Sequence, residues 1–81
     1  MLYSRGMSKT EAAENIANEV IVFAKRTGQA VTRDSIWAAL SECAAGHRGS
    51  YLAASAKAAN AKTVATLVRK HLKYDAHLLA I

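Results

Sequence analysis

The segment over residues 60–74, NAKTVATLVRKHLKY, constrains the fold most because its side chains divide between two opposite faces of a helix. At about 100° per residue, the apolar face carries Val64, Leu67, Val68, His71 and Leu72. The opposite face carries Lys62, Thr66, Arg69 and Lys73, with Lys70 at its border. The pattern predicts a helix that packs on a core and presents a cationic stripe about three turns long to something negatively charged.

Composition favours an all-α fold in a small domain. The 81 residues include no proline and 18 alanines, and alanine is the best helix former. A buried alanine removes little area from water, and each Å² buried contributes only roughly 25 cal/mol. The core of one short domain with so many alanines is therefore small. We therefore expect a bundle of three to four short helices that forms a homodimer. The helical domain is expected over residues 8–81, after a flexible lead-in over residues 1–7 in which Met7 can be the natural start.

The first helix is predicted from Ser8 to Thr27. Ser8 and Glu11 have the spacing of a capping box, in which each side chain accepts a hydrogen bond from a free backbone N–H. Gly28 is a natural stop. Val22 points away from the apolar face, either as an ordinary surface residue or as part of a dimer contact. The apolar face itself groups Ala12, Ala13, Ile16, Ala17, Val20, Phe23 and Ala24, with Ile21 at its edge.

A second helix is predicted between Thr32, a good N-cap, and Gly46. Val31 can pack on Ile36 as a hydrophobic staple. Trp37 is expected in the core because the chain has few other large side chains to fill it, and the alternative is an exposed interface anchor. The apolar stripe of this helix groups Ile36, Trp37, Ala39, Leu40, Cys43 and Ala44.

A third helix is predicted over residues 51–59, capped by Ser50. Tyr51 and Leu52 fall on the cationic side of the wheel drawn for the basic segment, so one continuous helix would point its two apolar faces in nearly opposite directions. A break near Asn60 resolves this conflict, and we prefer it to a long helix whose halves touch different subunits. The surplus apolar positions Val22, Tyr51 and Leu52 are expected at a homodimer interface.

The remaining features concern the C-terminal segment and the cellular compartment of the protein. Residues 75–81 are expected either as a last helical turn on the core or as a strand leading back across the domain. Cys43 is the only cysteine, residues 1–9 lack the apolar core of a signal peptide, and no apolar run approaches the ~20 residues of a transmembrane helix. These features predict a reducing, cytoplasmic setting without a membrane partner.

The net charge of +5 lies mostly in residues 41–81, which hold six lysines and arginines against two acids. A basic half favours nucleic acid or an acidic protein as the partner. Residues 50–69 also resemble the DNA-binding helix-turn-helix, because small or apolar residues stand where that motif needs them, at Ala54, Ala58, Val64 and Leu67. Lys57, at a position that is normally apolar, and Ala59, which is small for its place, depart from the motif.

The resemblance implies that the basic segment is a recognition helix in the major groove of double-stranded DNA. Its early residues Lys62, Thr63 and Thr66 are expected to approach bases. Its later residues Arg69, Lys70 and Lys73 are expected to meet the phosphate backbone. Arg48, in the glycine-bounded turn over residues 46–50, and Lys57 complete the candidate binding set.

The leading functional hypothesis is a small basic DNA-binding protein that regulates transcription from a phage, plasmid or bacterial genome. The alternative is a small helical inhibitor or adaptor whose basic face binds an acidic host protein or nucleoprotein complex. Steep weakening of duplex binding with salt distinguishes the first hypothesis from the second.

No catalytic, metal or cofactor site is predicted. Cys43 and His47 have helical spacing, but Gly46 ends the helix between them, and His71 and His77 share no face, so no closed zinc site is expected. His71 is instead expected to be a buried, hydrogen-bonded core residue. No nucleophile, base and orienting group can be assembled by spacing, so an enzyme is not predicted.

Overall fold

The longest helix, α1 (Lys9–Thr27), packs against each of the three other α-helices, and the residues that end it are those expected from the sequence. The computed structural model describes residues 7–81. The Ser8 hydroxyl accepts a hydrogen bond from the Glu11 N–H at 3.1 Å, but the reciprocal bond of the predicted capping box, to the Glu11 carboxylate, is not formed in the described part of the chain. Gly28 ends the helix in the left-handed conformation (φ 76°), which glycine adopts without steric cost, and its N–H donates to the Ala24 carbonyl at 2.7 Å.

The second helix, α2 (Arg33–Ala44), begins with a reciprocal cap. The Ser35 N–H donates to the Thr32 hydroxyl at 3.0 Å, and the Thr32 N–H donates to the Ser35 hydroxyl at 2.9 Å. Thr32 was expected as the cap, whereas Ser35 was not recognised as its partner. Val31 and Ile36, the predicted staple pair, are both buried in the core.

The basic segment and the helix before it are separate, which confirms the predicted break. Helix α3 (Ser50–Ala58) and helix α4 (Ala61–His71) are joined by two residues, of which Ala59 is extended. The Asn60 side-chain oxygen accepts a hydrogen bond from the Thr63 N–H at 2.9 Å and so caps α4. The N-cap of α3 is Gly49 at φ 98° and not Ser50, which is already the first helical residue.

The final residues combine the two arrangements considered for them. After α4 the chain forms a short 3₁₀ turn (Ala76–Leu78) and then runs beside the loop that precedes α2. The Val31 N–H donates to the Leu78 carbonyl and the Ala80 N–H donates to the Val31 carbonyl, each at 2.8 Å. This single parallel bridge fastens the C-terminal segment, and residues 7–81 form an all-α fold of four helices without a strand.

The core lies between α1 and the other helices, and four of the seven buried residues of α1 are alanines. Ala12, Ala13, Ala17 and Ala24 are buried along one side of α1, and their small side chains let neighbouring helices approach closely. Larger side chains from the other elements fill the space that remains. These include Ile36, Leu40 and Cys43 of α2, Val64 and Val68 of α4, and Leu72 and Leu78 beyond it.

A polar cluster fixes α3 to α1. The Asn15 amide nitrogen donates to the Tyr51 hydroxyl and to the Ser55 hydroxyl, each at 3.0 Å. Ser55 is completely buried, and its hydroxyl donates to the Tyr51 carbonyl at 3.0 Å, so its polar atom is satisfied. The Met7 sulfur lies 3.3 Å from the same hydroxyl, so Met7 contacts the domain, whereas residues 1–6 of the predicted lead-in lie outside the described residues.

The expectation that Trp37 belongs to the core is wrong, because its side chain is 61 % exposed. The buried side of α2 is set by Ile36, Leu40 and Cys43, which recur every three or four residues. Trp37 follows Ile36 by one position, which turns it by about 100° away from that side. Phe23, expected on the apolar face of α1, is likewise 41 % exposed.

The expectation that His71 is a buried core residue is also wrong. His71 is exposed, and its Nε2 atom lies 3.5 Å from the Glu14 carboxylate of α1. It is the last residue of α4, so its side chain lies at the edge of the interface with α1, and Leu72 takes the buried place. Within residues 7–81, no helix is long and apolar enough to cross a membrane.

The cap at Asn60 gives the first prediction, because it ends one helical phase and starts the next. Asn60→Ala should lower stability by about 1 kcal/mol, since it removes the side-chain acceptor for the Thr63 N–H. Thermal denaturation should then show a melting temperature lower by about 4–8 °C.

Asn18→Ala is the matched control, because Asn18 is an exposed asparagine inside α1. Alanine is the better helix former there, so the control should melt at the wild-type temperature or above it. Equal losses in the two variants would contradict a capping role for Asn60.

Candidate functional site

A groove between α2 and α4 is the strongest candidate site. Its volume is about 440 Å³, within the range of about 300–1,000 Å³ that is typical of ligand sites. Residues from the first two turns of α2 form one wall, and residues spread along α4 form the other. The lining residues are Arg33, Ile36 and Trp37 of α2 and Ala61, Lys62, Ala65, Thr66 and Arg69 of α4.

Helical spacing explains why these side chains share the groove. Arg33 and Trp37 are four residues apart in α2 and so lie on the same face of it. Lys62, Thr66 and Arg69 follow one another at intervals of four and three along α4. Between the two polar walls the lining is apolar, from buried Ile36 and from alanines of α4 whose small side chains leave the space open.

The groove is cationic without local compensation. Arg33, Lys62 and Arg69 are exposed, and among the described lining residues none is acidic. The ion pairs found within residues 7–81 involve only Arg48 and His71 among the basic side chains. Three like charges around one concave surface repel one another and attract an anion.

The cationic face of α4 is therefore shorter than the predicted stripe, and residues of α2 lie opposite it across the groove. Lys62, Thr66 and Arg69 line the groove, but α4 ends at His71, so Lys73 lies in the following turn. The Lys73 ammonium lies 5.4 Å from the centre of the Tyr74 ring. Three other candidates lie outside the groove lining: exposed Lys70, half-buried Thr63, and Lys57 in the last turn of α3.

Arg48, predicted to face a phosphate, contacts two protein carboxylates, and its side chain is 38 % exposed. Its guanidinium lies 3.0 Å from the Glu42 carboxylate and 3.4 Å from that of Glu19, so it connects α2 to α1. The hydrogen bond with Glu42 raises the pKa of Arg48 further above its usual range. Arg48 lines a different groove, between α1 and α2, whose lining includes Phe23 and Cys43.

Cys43 lies at the buried side of that second groove. Burial raises the pKa of its thiol, and the nearby Arg48 only partly offsets this effect. At neutral pH the group therefore stays a protonated thiol and behaves as a small apolar side chain. No group of three or more histidine, cysteine, aspartate or glutamate side chains comes together in the described part of the chain.

The residues predicted for a homodimer interface differ in their surroundings. Val22 and Tyr51 are exposed, at 55 % and 60 %, whereas Leu52 is half-buried and packs against the core. The Tyr51 hydroxyl is already engaged by Asn15. Val22 is thus the member of this set that neither packs on the core nor joins the polar cluster.

The helices of the helix-turn-helix resemblance share few contacts with each other, because α3 packs on α1 and α2 and α4 packs mainly on α1. Ala54, which the motif would place against the second helix, is exposed, and so is Lys57. Val64 is buried and Leu67 is half-buried, but both belong to the core that α4 forms with the rest of the domain. The resemblance therefore describes the order of the helices better than their packing.

Two groove residues, Arg33 and Trp37, were absent from the binding set predicted from the sequence. The signal that could have found them is their spacing. Trp37 lies about 100° from Ile36, off the buried face of α2, and Arg33 lies four residues earlier, at the edge of that face. An arginine and a tryptophan beside the buried stripe mark a surface with a cation and an aromatic ring together.

No protein-family model, curated protein or solved structure matches this chain. Its function is therefore inferred from the groove between α2 and α4.

The charge of the groove gives a prediction about stability. Lys62 lies in the first turn of α4, where the helix dipole disfavours a cation, and it shares the groove with two arginines. Lys62→Gln should therefore raise stability by about 0.3–1 kcal/mol in low salt, and the gain should shrink as salt screens the charges. Thermal melts at low and high ionic strength measure both effects.

Arg48→Gln is the matched comparison, because it also removes one exposed cation. This variant loses contacts to two carboxylates, so it should be slightly less stable than the wild type in low salt. The interpretation is contradicted if Lys62→Gln is destabilised to the same extent as Arg48→Gln.

Proposed function

We propose that this protein binds DNA through the groove between α2 and α4, as a small basic DNA-binding protein of the kind that regulates transcription from a phage, plasmid or bacterial genome. The observation that carries the proposal is the set of three exposed cations, Arg33, Lys62 and Arg69, around one groove whose described lining has no carboxylate. The anions that a nucleic acid offers to such a surface are its phosphates, and phosphate contacts dominate the affinity of a protein for nucleic acid.

The geometry of α4 supports contact with duplex DNA. Thr66 lies in its first half and is exposed, and a helix in the major groove uses its early residues to reach base edges. Arg69 lies about 10 Å further along the axis than Lys62, so the two side chains reach different phosphates. This mode relies on α4 with support from α2 and does not need α3 to pack on α4.

The second candidate function is binding to an acidic protein surface, as an inhibitor or adaptor. Trp37 favours it, because an exposed tryptophan beside arginines has the composition of a protein–protein hot spot. The same three cations would then pair with carboxylates. The two functions differ in how steeply binding falls with salt and in whether duplex DNA alone suffices as the ligand.

Titration of duplex DNA at several salt concentrations tests the proposal. The variant Arg33→Gln/Lys62→Gln/Arg69→Gln should fold as the wild type does, because these side chains are exposed and outside the core. Each lost phosphate contact should lower the salt slope by about 0.9, so the triple variant should lose about 2.7 of it. The mass of the wild type is measured by sedimentation in parallel, since a homodimer would present two grooves to one duplex.

The control is Lys9→Gln/Lys25→Gln/Arg26→Gln, which removes the same net charge from exposed positions on α1 outside the groove. It should keep most of the wild-type affinity and slope. Equal losses in the two triple variants would mean that net charge alone attracts the DNA. Absence of salt-sensitive duplex binding by the wild type would contradict the proposal and favour the acidic protein partner.

A further inference from the structure

We infer that the groove between α2 and α4 holds an unpaired base of a single-stranded nucleic acid, stacked on the Trp37 indole, with the neighbouring phosphates on Arg33, Lys62 and Arg69. The inference rests on the proposed DNA-binding function and names the form of nucleic acid that the groove itself accepts. It starts from the position of Trp37, the chain's only tryptophan, which leaves most of its area exposed in a folded domain.

The exposure of Trp37 is the first step. A tryptophan is the largest apolar side chain available to a core that is short of large residues, yet this one faces the groove. It is placed by α2, a helix whose start is fixed by the reciprocal cap of Thr32 and Ser35, so the ring is presented on a rigid element. A flat aromatic face on a rigid element is what base stacking requires.

The surroundings of the ring are the second step. An amphipathic helix from a protein partner would need a continuous apolar stripe to receive its anchors, repeated over two or more turns. Here the apolar lining besides Trp37 is limited to Ile36, Ala61 and Ala65, and cations border it. A nucleotide matches this surface better, because its base needs one flat partner and its phosphates need cations on either side.

The form of the nucleic acid is the third step. Bases inside a duplex are stacked on their neighbours, so their faces are closed to a side chain on the outside. Unpaired bases can be splayed out and stacked on an aromatic ring. A groove of about 440 Å³ that includes an exposed indole has room for one such base between the walls of α2 and α4.

Tryptophan fluorescence tests the inference directly, because the signal comes from Trp37 alone. Oligothymidylate, which does not pair with itself, should quench the emission as it binds, since a stacked base contacts the indole. A duplex of the same length and a polyglutamate peptide are titrated in parallel, and each should change the emission much less. Quenching that is as strong with polyglutamate would overturn the inference in favour of an acidic protein ligand.

Substitution separates stacking from charge. Trp37→Ala should weaken oligothymidylate binding by about 5- to 150-fold, the effect of losing one stacked base, and should weaken duplex binding by a smaller factor, because no base of a duplex stacks on the ring. Trp37→Phe keeps a flat ring and should retain most of the binding. Phe23→Ala is the control, because it removes the exposed aromatic ring of the second groove, and it should bind as the wild type does.

The outcomes distinguish this inference from the proposed function. Salt-sensitive duplex binding that depends on Arg33, Lys62 and Arg69, without quenching by oligothymidylate, overturns the stacking and leaves the DNA-binding function standing. Lack of binding to both nucleic acids overturns the two together. If Trp37→Ala does not fold, the quenching of the wild type and the affinity of Trp37→Phe still decide the question.

Discussion

The alanine-lined side of α1 is the constraint on which the rest of the structure depends. A domain of 81 residues with few large apolar side chains cannot fill a wide core, so its helices must approach closely. Ala13 and Ala17 on α1 are fully buried and permit that approach. Because α1 contacts all three other helices, it carries the interfaces that make this small core sufficient.

The break before Asn60 determines which side of α4 is buried in the core and which side is exposed. A continuous helix through residues 50–71 would bury only one of its two apolar faces against α1. Two extended or capping residues rotate α4 relative to α3, so that Val64 and Val68 enter the core while Lys62 and Arg69 stay outside. The opposite side of α4 then meets Trp37 and Arg33 of α2 across a groove. The turn at residues 59–60 therefore determines both which side chains of α4 enter the core and which cations face the groove.

Local sequence signals predicted the helices well, because caps and glycines act within a few residues. Ser8, Gly28, Thr32 and Asn60 end or begin helices as expected, and the phase conflict near Asn60 correctly predicted two helices. Tertiary packing decided what these signals could not. Trp37 was assigned to the core from the scarcity of large residues, whereas the side of α2 that is buried depends on where α1 and α3 lie.

For the same reason, the sequence predicted only one of the two walls of the candidate site. The basic face of α4 is visible in the sequence because its spacing is periodic, but its partner wall on α2 is distant in the chain. Arg48 shows the converse case, since its charge favours a phosphate contact but the sequence does not show that Glu19 and Glu42 lie beside it. Charge in a sequence thus identifies candidates, and the fold determines which of them remain available to a ligand.

The most direct test of the groove as the binding site is a map of backbone and indole N–H signals by nuclear magnetic resonance. The ligand is a short DNA duplex with a single-stranded oligothymidylate overhang. The largest changes should fall on the Trp37 indole N–H and on the backbone amides near Arg33 and from Lys62 to Arg69, which line the groove. Largest changes around Phe23 and Arg48 instead, in the second groove, would contradict the account.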